Sequence, residues 1–390
     1  MKVLVLTDSL SDLDGVGRYT VRLLLALERA RPGLEVHVLL GRKHRPTSRD
    51  VPAHWRVEVA LPPDYFFYMS PLRFWVSRLA ATWRTWRAAR GADVVHAIKD
   101  FPHSLVAVDA ARLAGKPCIA TAHGTYTILP LVDPRHARRA RRAYGRFDRM
   151  ISVSRYTRRR LLALVSPDVL PPEHVVVVPN SVDASEYAAP REVGAQPWHA
   201  WRFTLGIGEL KERKGHHLSV AAWCRVAQGD PTLHHVLVGR RTGDAYERRV
   251  LALAEAAGVA DRLHLVGNIG EDELVDLLQR AEVFLHTPVT ASDGGFEGFG
   301  IVYLEAAACG TPSIGTLDCG AEDAVVDGVT GRLVAQEEGA VAAALGALVA
   351  DAALRARMGA AGRAHAAASP WDENARRVLE LYDARRGGRA

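Results

Sequence analysis

Short apolar runs alternate with longer amphipathic stretches along most of the chain, a pattern that predicts parallel strands covered by helices. KVLVLT (2–7) predicts a strand. DGVGRYTVRLLLALERA (14–30) predicts a helix, with Val16, Tyr19, Leu23 and Leu27 at helical spacing. Further strands are predicted at 36–40, 93–98, 117–123, 148–154 and 175–179. A second series follows at 203–209, 234–239, 263–267, 283–288 and 311–316. Helical patterns separate these runs; Leu274, Leu277, Leu278 and Ala281 mark one of them. Between the two series, SEYAAPREVGAQPWHAW lacks clean periodicity, and the region 183–202 reads as a linker. The fold class is therefore α/β, with two Rossmann-like domains in tandem whose facing clefts would form the site. The domains are set at 1–185 and 186–369.

With 390 residues, 48% hydrophobic and 24% charged, the chain has material for more than one core, and extensive disorder is excluded. No uncharged apolar run reaches about 18 residues, so no spanning helix is predicted. MKVLVLTDSL lacks the features of a secretion leader, and a cytoplasmic location is expected. Cys118, Cys224, Cys309 and Cys319 form no C-x-x-C pair, which argues against a disulfide framework or a zinc ribbon. Charge is uneven. Residues 1–190 hold 29 Lys and Arg against 17 Asp and Glu, a net +12. The rest hold 21 against 27, a net −6. The first half is expected to meet something anionic.

Three motifs carry candidate chemistry. Asp14-Gly15-Val16-Gly17-Arg18-Tyr19 lies between the first strand and the first helix. Glycines there let a ligand approach the backbone, and free N–H groups at the helix start suit a phosphate. The alternative is a tight turn; the motif completes neither a G-x-G-x-x-G fingerprint nor a P-loop. Gly208-Glu209-Leu210-Lys211-Glu212-Arg213-Lys214-Gly215 follows the first strand of the second series. Its three cations suit a diphosphate leaving group, against the alternative of a solvated charged loop. In Glu297-Gly298-Phe299-Gly300-Ile301-Val302-Tyr303-Leu304-Glu305, two carboxylates are separated by seven residues. In one continuous helix they would stand about 12 Å apart along the axis. With a glycine loop folded over a helix starting at Ile301, both can face one cleft, the carboxylates accepting sugar hydroxyls and the N–H groups binding phosphate.

EGFGIVYLEAAACGTP resembles the E-x7-E segment of retaining GT-B glycosyltransferases, specifically family 4. The order of DGVGRYT, TAHGTY, VVVVPNSVD, GELKERKGHH and VVDGVTGRLV is similar over nearly the whole chain. The resemblance implies transfer of a sugar from a nucleotide diphosphate with retention, no cofactor and no metal. It implies that Glu305 binds the donor ribose and that Glu297 contacts the sugar hydroxyls. Phe299, Gly300 and Ile301 would cradle phosphate and sugar through their backbone. Arg213 and Lys214 would meet the diphosphate. Gly15 and Gly17 would approach it from the other domain, His123 would sit near the transferred sugar and acceptor, and Gly267, Asn268 and Ile269 near the base. Pro370-Trp371 and the last helix (370–390) resemble the segment that crosses back to the first domain. The chain departs from the family at Glu209, where many members carry Arg, at Asp14 and at Ser181. The segment is most similar to that of members using GDP-mannose, so a mannosyltransferase acting on a lipid-linked or envelope glycan in polysaccharide biosynthesis is expected. Alternatives are a UDP-sugar transferase with a soluble acceptor and, in another class, a basic nucleic-acid-binding protein. The last leaves Glu297 and Glu305 unexplained, so no nucleic-acid partner is expected. An oxidoreductase is disfavoured by the incomplete glycine fingerprint.

Two basic stretches bear on the partner. In LRFWVSRLAATWRTWRAAR (72–90), Leu72, Trp75, Leu79 and Trp86 fall on one side of a helix and Arg73, Arg84 and Arg87 on another; Tyr65, Phe66, Phe67 and Tyr68 precede it. This stretch either lies on an anionic membrane surface, as a peripheral contact on the inner face of the cell membrane, or packs its Trp residues into its own domain. A second basic face carries Arg135, Arg138, Arg139, Arg142 and Arg146, with Ala140, Tyr144 and Phe147 opposite. The +12 of this half favours the membrane reading.

Overall fold

The computed structural model describes residues 1–12, 14–42, 44–63, 70–98 and 101–386. The chain divides into two units, residues 1–180 with 371–390, and residues 181–370. The sequence reading put the boundaries at 185/186 and 369/370.

Among the described residues, the first unit holds β1 (Lys2–Thr7), β2 (Glu35–Gly41), β3 (Arg56–Leu61), β4 (Val94–Ala97), β5 (Cys118–Ala122), β6 (Arg149–Ser152) and β7 (Val175–Val177). They form one sheet in the order β3-β2-β1-β4-β5-β6-β7, all pairs parallel. Its helices are α1 (Gly15–Ala30), α2 (Pro71–Ala89), α3 (His103–Ala114), α4 (Thr125–Val132), α5 (Ala137–Tyr144) and α6 (Arg155–Leu164). The second unit holds β8 (Arg202–Ile207), β9 (Leu233–Val238), β10 (Leu263–Gly267), β11 (Val283–Leu285), β12 (Ser313–Thr316) and β13 (Gly331–Val334), ordered β10-β9-β8-β11-β12-β13 and again parallel. Its helices are α7 (His216–Ala227), α8 (Ala245–Ala256), α9 (Glu271–Arg280), α10 (Ile301–Cys309), α11 (Glu338–Ala350) and α12 (Ala352–Ala367). The last helix, α13 (Trp371–Arg386), belongs to the first unit.

Each sheet reverses its strand order once, between β1 and β4 and between β8 and β11. In open α/β sheets, ligands bind beyond the carboxyl ends of the strands at this reversal. Helices on both faces explain why Val3, Leu4, Val5 and Leu6 are all fully buried, an uninterrupted apolar run rather than an alternating one. The sequence reading missed β3 and β13. Both are edge strands, and both carry charge: Arg56 and Glu58 in one, Arg332 in the other. Edges tolerate polar residues, so their hydrophobic signal is weak.

The expected linker at 183–202 is corrected. This stretch packs onto the second unit as two short turns, 184–187 and 197–200. Tyr187 and Trp198 are buried, Trp198 Nε1 donates to Asp276 of α9 at 2.8 Å, and Gln279 donates to the Tyr187 carbonyl at 2.8 Å. Two aromatic anchors suffice to fasten a segment that has no period.

The helix α13 buries Trp371, Ala375, Val378, Leu379 and Tyr382, an i, i+4, i+7, i+8, i+11 stripe, and packs against α1. Arg29 pairs with Asp372 at 2.8 Å, and Arg31 pairs with Asp383. Arg377 donates to the Val177 carbonyl at 2.7 Å and Asn374 to that of Pro179 at 2.6 Å. The C-terminal helix thus completes the core of the first unit, as the resemblance implies. Trp371→Ala should destabilise that unit by about 3 kcal/mol. Urea unfolding followed by circular dichroism would measure it; a loss near zero would show α13 to be dispensable for folding.

Candidate active site

The site in the second unit is built at the β8/β11 reversal. After β8, the chain passes through a single turn, Glu212–Lys214, to Gly215 and enters α7. Gly215 adopts φ +68°, and a Cβ there would stand 1.7 Å from the Thr287 carbonyl oxygen just beyond β11. Only glycine allows both the left-handed turn and this close approach. The contact fastens the loop after β8 to the loop after β11, helped by the Thr287 hydroxyl donating to the Gly215 carbonyl at 3.1 Å. Lys214 is laid across Gly208, its side chain 3.3–3.5 Å from where a Cβ would stand.

Lys214 Nζ lies 2.5 Å from Glu297 Oε2, and Arg213 lies 3.6 Å from the same oxygen. The Lys214 and Glu297 side chains are only 15% and 11% exposed. Burial alone would raise the Glu297 pKa. The neighbouring Lys214, His286 and Arg213 outweigh it and hold the carboxyl well below its usual range, so it is ionised. His286, fully buried at the end of β11, places Nε2 3.8 Å from Glu297, and burial lowers its own pKa. Sequence reasoning missed His286; its polar ring closing the apolar run VFLH was the available signal.

Glu297 stands in the loop and not in the helix. Gly320 N–H donates to its carbonyl at 2.8 Å, and a Cβ on Gly320 would meet the Gly298 carbonyl oxygen at 2.1 Å, so a second strand-end loop clamps the first. Phe296 and Phe299 are buried and anchor this loop. Gly300, at φ +82°, turns the chain into α10, whose start has no side-chain cap. Tyr303 N–H already donates to the Gly300 carbonyl at 3.0 Å, which leaves the N–H groups of Ile301 and Val302 as the first-turn donors at the positive end of the helix. Glu305, on the next turn of α10, is buried. Gly267, at φ +73°, ends β10 on the same carboxyl edge of the sheet, with Ile269 half-buried beyond it.

Lys211 pairs with Glu209 at 2.7 Å, and Arg240, after β9, lies 3.6 Å from the other oxygen. Burial would raise the Glu209 pKa, but Lys211, Arg240 and Arg213 lower it overall. Glu209 thus gathers two cations, Lys211 from its own loop and Arg240 from the loop after β9, the latter a residue the sequence reading did not single out.

In the first unit, Asp14 caps α1. Its carboxylate accepts from Gly17 N–H at 2.8 Å and from the Ser9 hydroxyl. A Cβ on Gly17 would meet the Ser11 carbonyl oxygen at 2.4 Å, whereas nothing lies within 4 Å of the corresponding point on Gly15. The Gly17 N–H is used by the cap, and its lack of a side chain serves the packing of its own loop. Gly15 is open to a ligand. His123 follows β5, half-buried, with its ring edge-on to Tyr19 at 4.8 Å; Tyr19 in turn meets Trp371 at 5.6 Å. On α2, Arg73, Trp75, Arg84 and Arg87 are exposed and Trp86 is half-buried, while Tyr65, Phe66, Phe67 and Tyr68 lie outside the described residues.

Comparison with known proteins follows the division of the chain. Residues 13–186 match a family model described as Glycosyltransferase Family 4, and residues 201–365 match Glycosyl transferases group 1. The GDP-mannose-dependent alpha-(1-6)-phosphatidylinositol monomannoside mannosyltransferase of Mycolicibacterium smegmatis is 32% identical over 303 residues, 74% of this chain and 75% of that protein. The D-inositol 3-phosphate glycosyltransferase of Nocardia farcinica is 31% identical over 61% of this chain, a match spanning about half (52%) of that protein. Among solved structures, Anabaena Alr3699/HepE in complex with UDP and glucose superposes with a TM-score of 0.76 at 19% identity, covering 98% of this chain and 100% of that one. These solved neighbours share the GT-B fold.

Glu297→Ala would leave the buried Lys214 ammonium without its counter-charge and should cost about 3 kcal/mol of stability, whereas Lys214→Met combined with Glu297→Gln should cost less. Because the Glu297 pKa is depressed on folding, its stabilisation is complete above the unfolded value of about 4.3 and is lost as pH falls through the lower folded value. Urea titrations at pH 7 and at pH 3 should show the variant's deficit shrinking at the lower pH. An equal deficit at both would mean that the ion pair is not its source.

Proposed function

The chain belongs to glycosyltransferase family 4 and is a glycosyltransferase, and from that premise we propose that it transfers mannose from GDP-mannose to a lipid-linked glycan with retention and without a metal. One observation carries the reading: Lys214 and Arg213, oriented by Glu297, stand at the strand-order reversal in the same unit as the uncapped start of α10. Two oriented cations and the N–H groups of Ile301 and Val302 at the helix start suit a diphosphate that gains charge as the glycosidic bond breaks. The mannose and GDP assignment is supported by the Mycolicibacterium relative, whose name gives a GDP-mannose donor and a phosphatidylinositol mannoside acceptor.

In this reading, the bond between the anomeric carbon and the diphosphate oxygen breaks, and the acceptor oxygen bonds the same face of that carbon. The acceptor proton passes to the departing phosphate oxygen, and GDP leaves. No protein nucleophile takes part; positioning and charge stabilisation carry the rate. Lys214 and Arg213 neutralise the leaving diphosphate. Backbone groups at Phe299, Gly300 and Ile301 hold phosphate and sugar, Glu297 accepts from sugar hydroxyls, and Glu305 accepts from the ribose. Gly267 and Ile269 border the base. Gly15 admits the phosphate, and His123, steadied by Tyr19, contacts the transferred sugar and acceptor.

Calorimetry with GDP, UDP, ADP and their sugar conjugates, in the presence of a chelator, should show selective binding of GDP and GDP-mannose. Selective UDP binding would replace the donor, and loss of binding to the chelator would overturn metal independence. Lys214→Ala should lower kcat/KM about a hundredfold or more; a near-normal value would remove Lys214 from the reaction. A product whose anomeric configuration is inverted by NMR would exclude retention.

A further inference from the structure

The helix α2 is built inside out. The side it turns to the first unit is mostly small: Ala81, Thr82, Thr85 and Ala89 are buried, with Phe74 the one large apolar member among the buried residues. Its bulky apolar residues face solvent. Leu72 is 76% exposed, Leu79 66%, Val76 58%, Trp83 54% and Trp75 46%. Their spacing, i, i+3, i+4, i+7 and i+11, makes a continuous ridge. A helix of a soluble domain normally presents the opposite arrangement, and contiguous exposed apolar surface of this kind marks an interaction site. The sequence reading that packs the Trp residues into the domain core is thereby overturned for Trp75 and Trp83.

The ridge borders a basic groove of about 500 Å³ between α2, α3 and α5. Trp75, Leu105 and Val108 supply its apolar walls. Arg78 pairs with Asp109, which also accepts from Arg146 at 3.3 Å, so these two guanidinium groups are held in place. Arg138, Arg139 and Arg142 line the rest and are exposed. Arg139 lies over the Phe74 ring at 4.9 Å and joins the groove to the ridge; Arg87 lies over Trp83 at 5.0 Å. Neither α2 nor α5 carries a carboxylate, while each carries four arginines.

We propose that this face docks the enzyme on a bilayer containing anionic phospholipid, with the α2 ridge entering the boundary between headgroups and acyl chains and headgroup phosphate held in the arginine groove. Charge complementarity selects this occupant. Trp belongs at the membrane interface, Leu and Val just below it, and arginine among the phosphates. A nucleic acid would satisfy the arginines and leave Leu72, Val76 and Leu79 uncovered. A second copy of the chain would bring like charge against like. The proposal goes beyond the donor assignment and does not depend on it; a lipid-linked acceptor is what gives docking its use.

The test is flotation of the full chain with phosphatidylcholine vesicles, with and without phosphatidylglycerol. Binding should be about tenfold or more tighter with phosphatidylglycerol and should weaken with salt. Leu79→Ser with Trp83→Ser, and separately Arg138→Glu with Arg142→Glu, should each reduce it about tenfold or more. GDP affinity should be unchanged in both, which separates failure of docking from failure of the donor reading and reports that the fold is intact. In the unaltered chain, tryptophan emission should shift to the blue on adding anionic vesicles, and Trp83→Phe should diminish the shift. Equal binding to neutral vesicles, indifference to both double variants, equal binding to RNA, or a lipid-independent dimer abolished by Leu79→Ser with Trp83→Ser would each overturn the proposal.

Discussion

A single carboxylate, Glu297, holds two cations at the end of a parallel sheet, and the local architecture of the second unit is arranged around that contact. A lysine with 15% of its side chain exposed cannot keep its charge without a partner. The partner comes from a loop 83 residues further along the chain, so the two strand-end loops must be brought together and kept there. Gly215 makes this approach sterically feasible, Gly320 clamps the Glu297 loop from its other side, and Phe296 and Phe299 anchor it. The helix α10 then starts from this fixed platform without a side-chain cap, the N–H groups of Ile301 and Val302 leading it. Cations and helix dipole are thus set before any anion arrives, which is the condition for electrostatic stabilisation without reorganisation.

The first unit applies the same principle with different parts. Asp14 occupies the start of α1, so that helix end is already capped and negatively flanked. What remains open is Gly15 and the half-buried face of His123. The last helix of the chain supports His123 at one remove, through Trp371 and Tyr19. A segment 248 residues away in sequence, from His123 to Trp371, therefore contributes to the rigidity of a residue assigned to substrate, and α13 serves both core and site.

Glu209 shows how one carboxylate in a basic motif redirects the cations around it. Glu209 draws Lys211 and Arg240 to itself, and Arg240 reaches it from β9's end because β8 and β9 are neighbours in the sheet. Read along the chain, a cation has been lost from the motif. In space, Glu209 and Glu297 face Lys211, Arg213, Lys214 and Arg240, four cations against two carboxylates, so the cluster keeps an excess of positive charge.

Much was legible in the sequence because parallel strands buried on both faces write unbroken apolar runs, and because glycine motifs are demanded by local backbone geometry. Those signals located eleven of the described strands and the helix start at Ile301, and the motifs beside them singled out Arg213, Lys214, Glu297 and Glu305 as candidates. The edge strands β3 and β13 escaped because an uncovered edge tolerates charge, and the packed 183–202 segment escaped because two buried aromatics need no period. The pairing of Lys214 with Glu297, the entry of His286 and Arg240, and the commitment of Gly17 to its own loop were decided by tertiary structure alone. So was the outward direction of the α2 ridge: the sequence determines that the helix has an apolar side, but which side turns inward depends on the space its neighbours leave. That space admits Ala81, Thr82, Thr85 and Ala89, with Phe74 the one large side chain taken in, and Leu72, Trp75, Val76, Leu79 and Trp83 are left facing out.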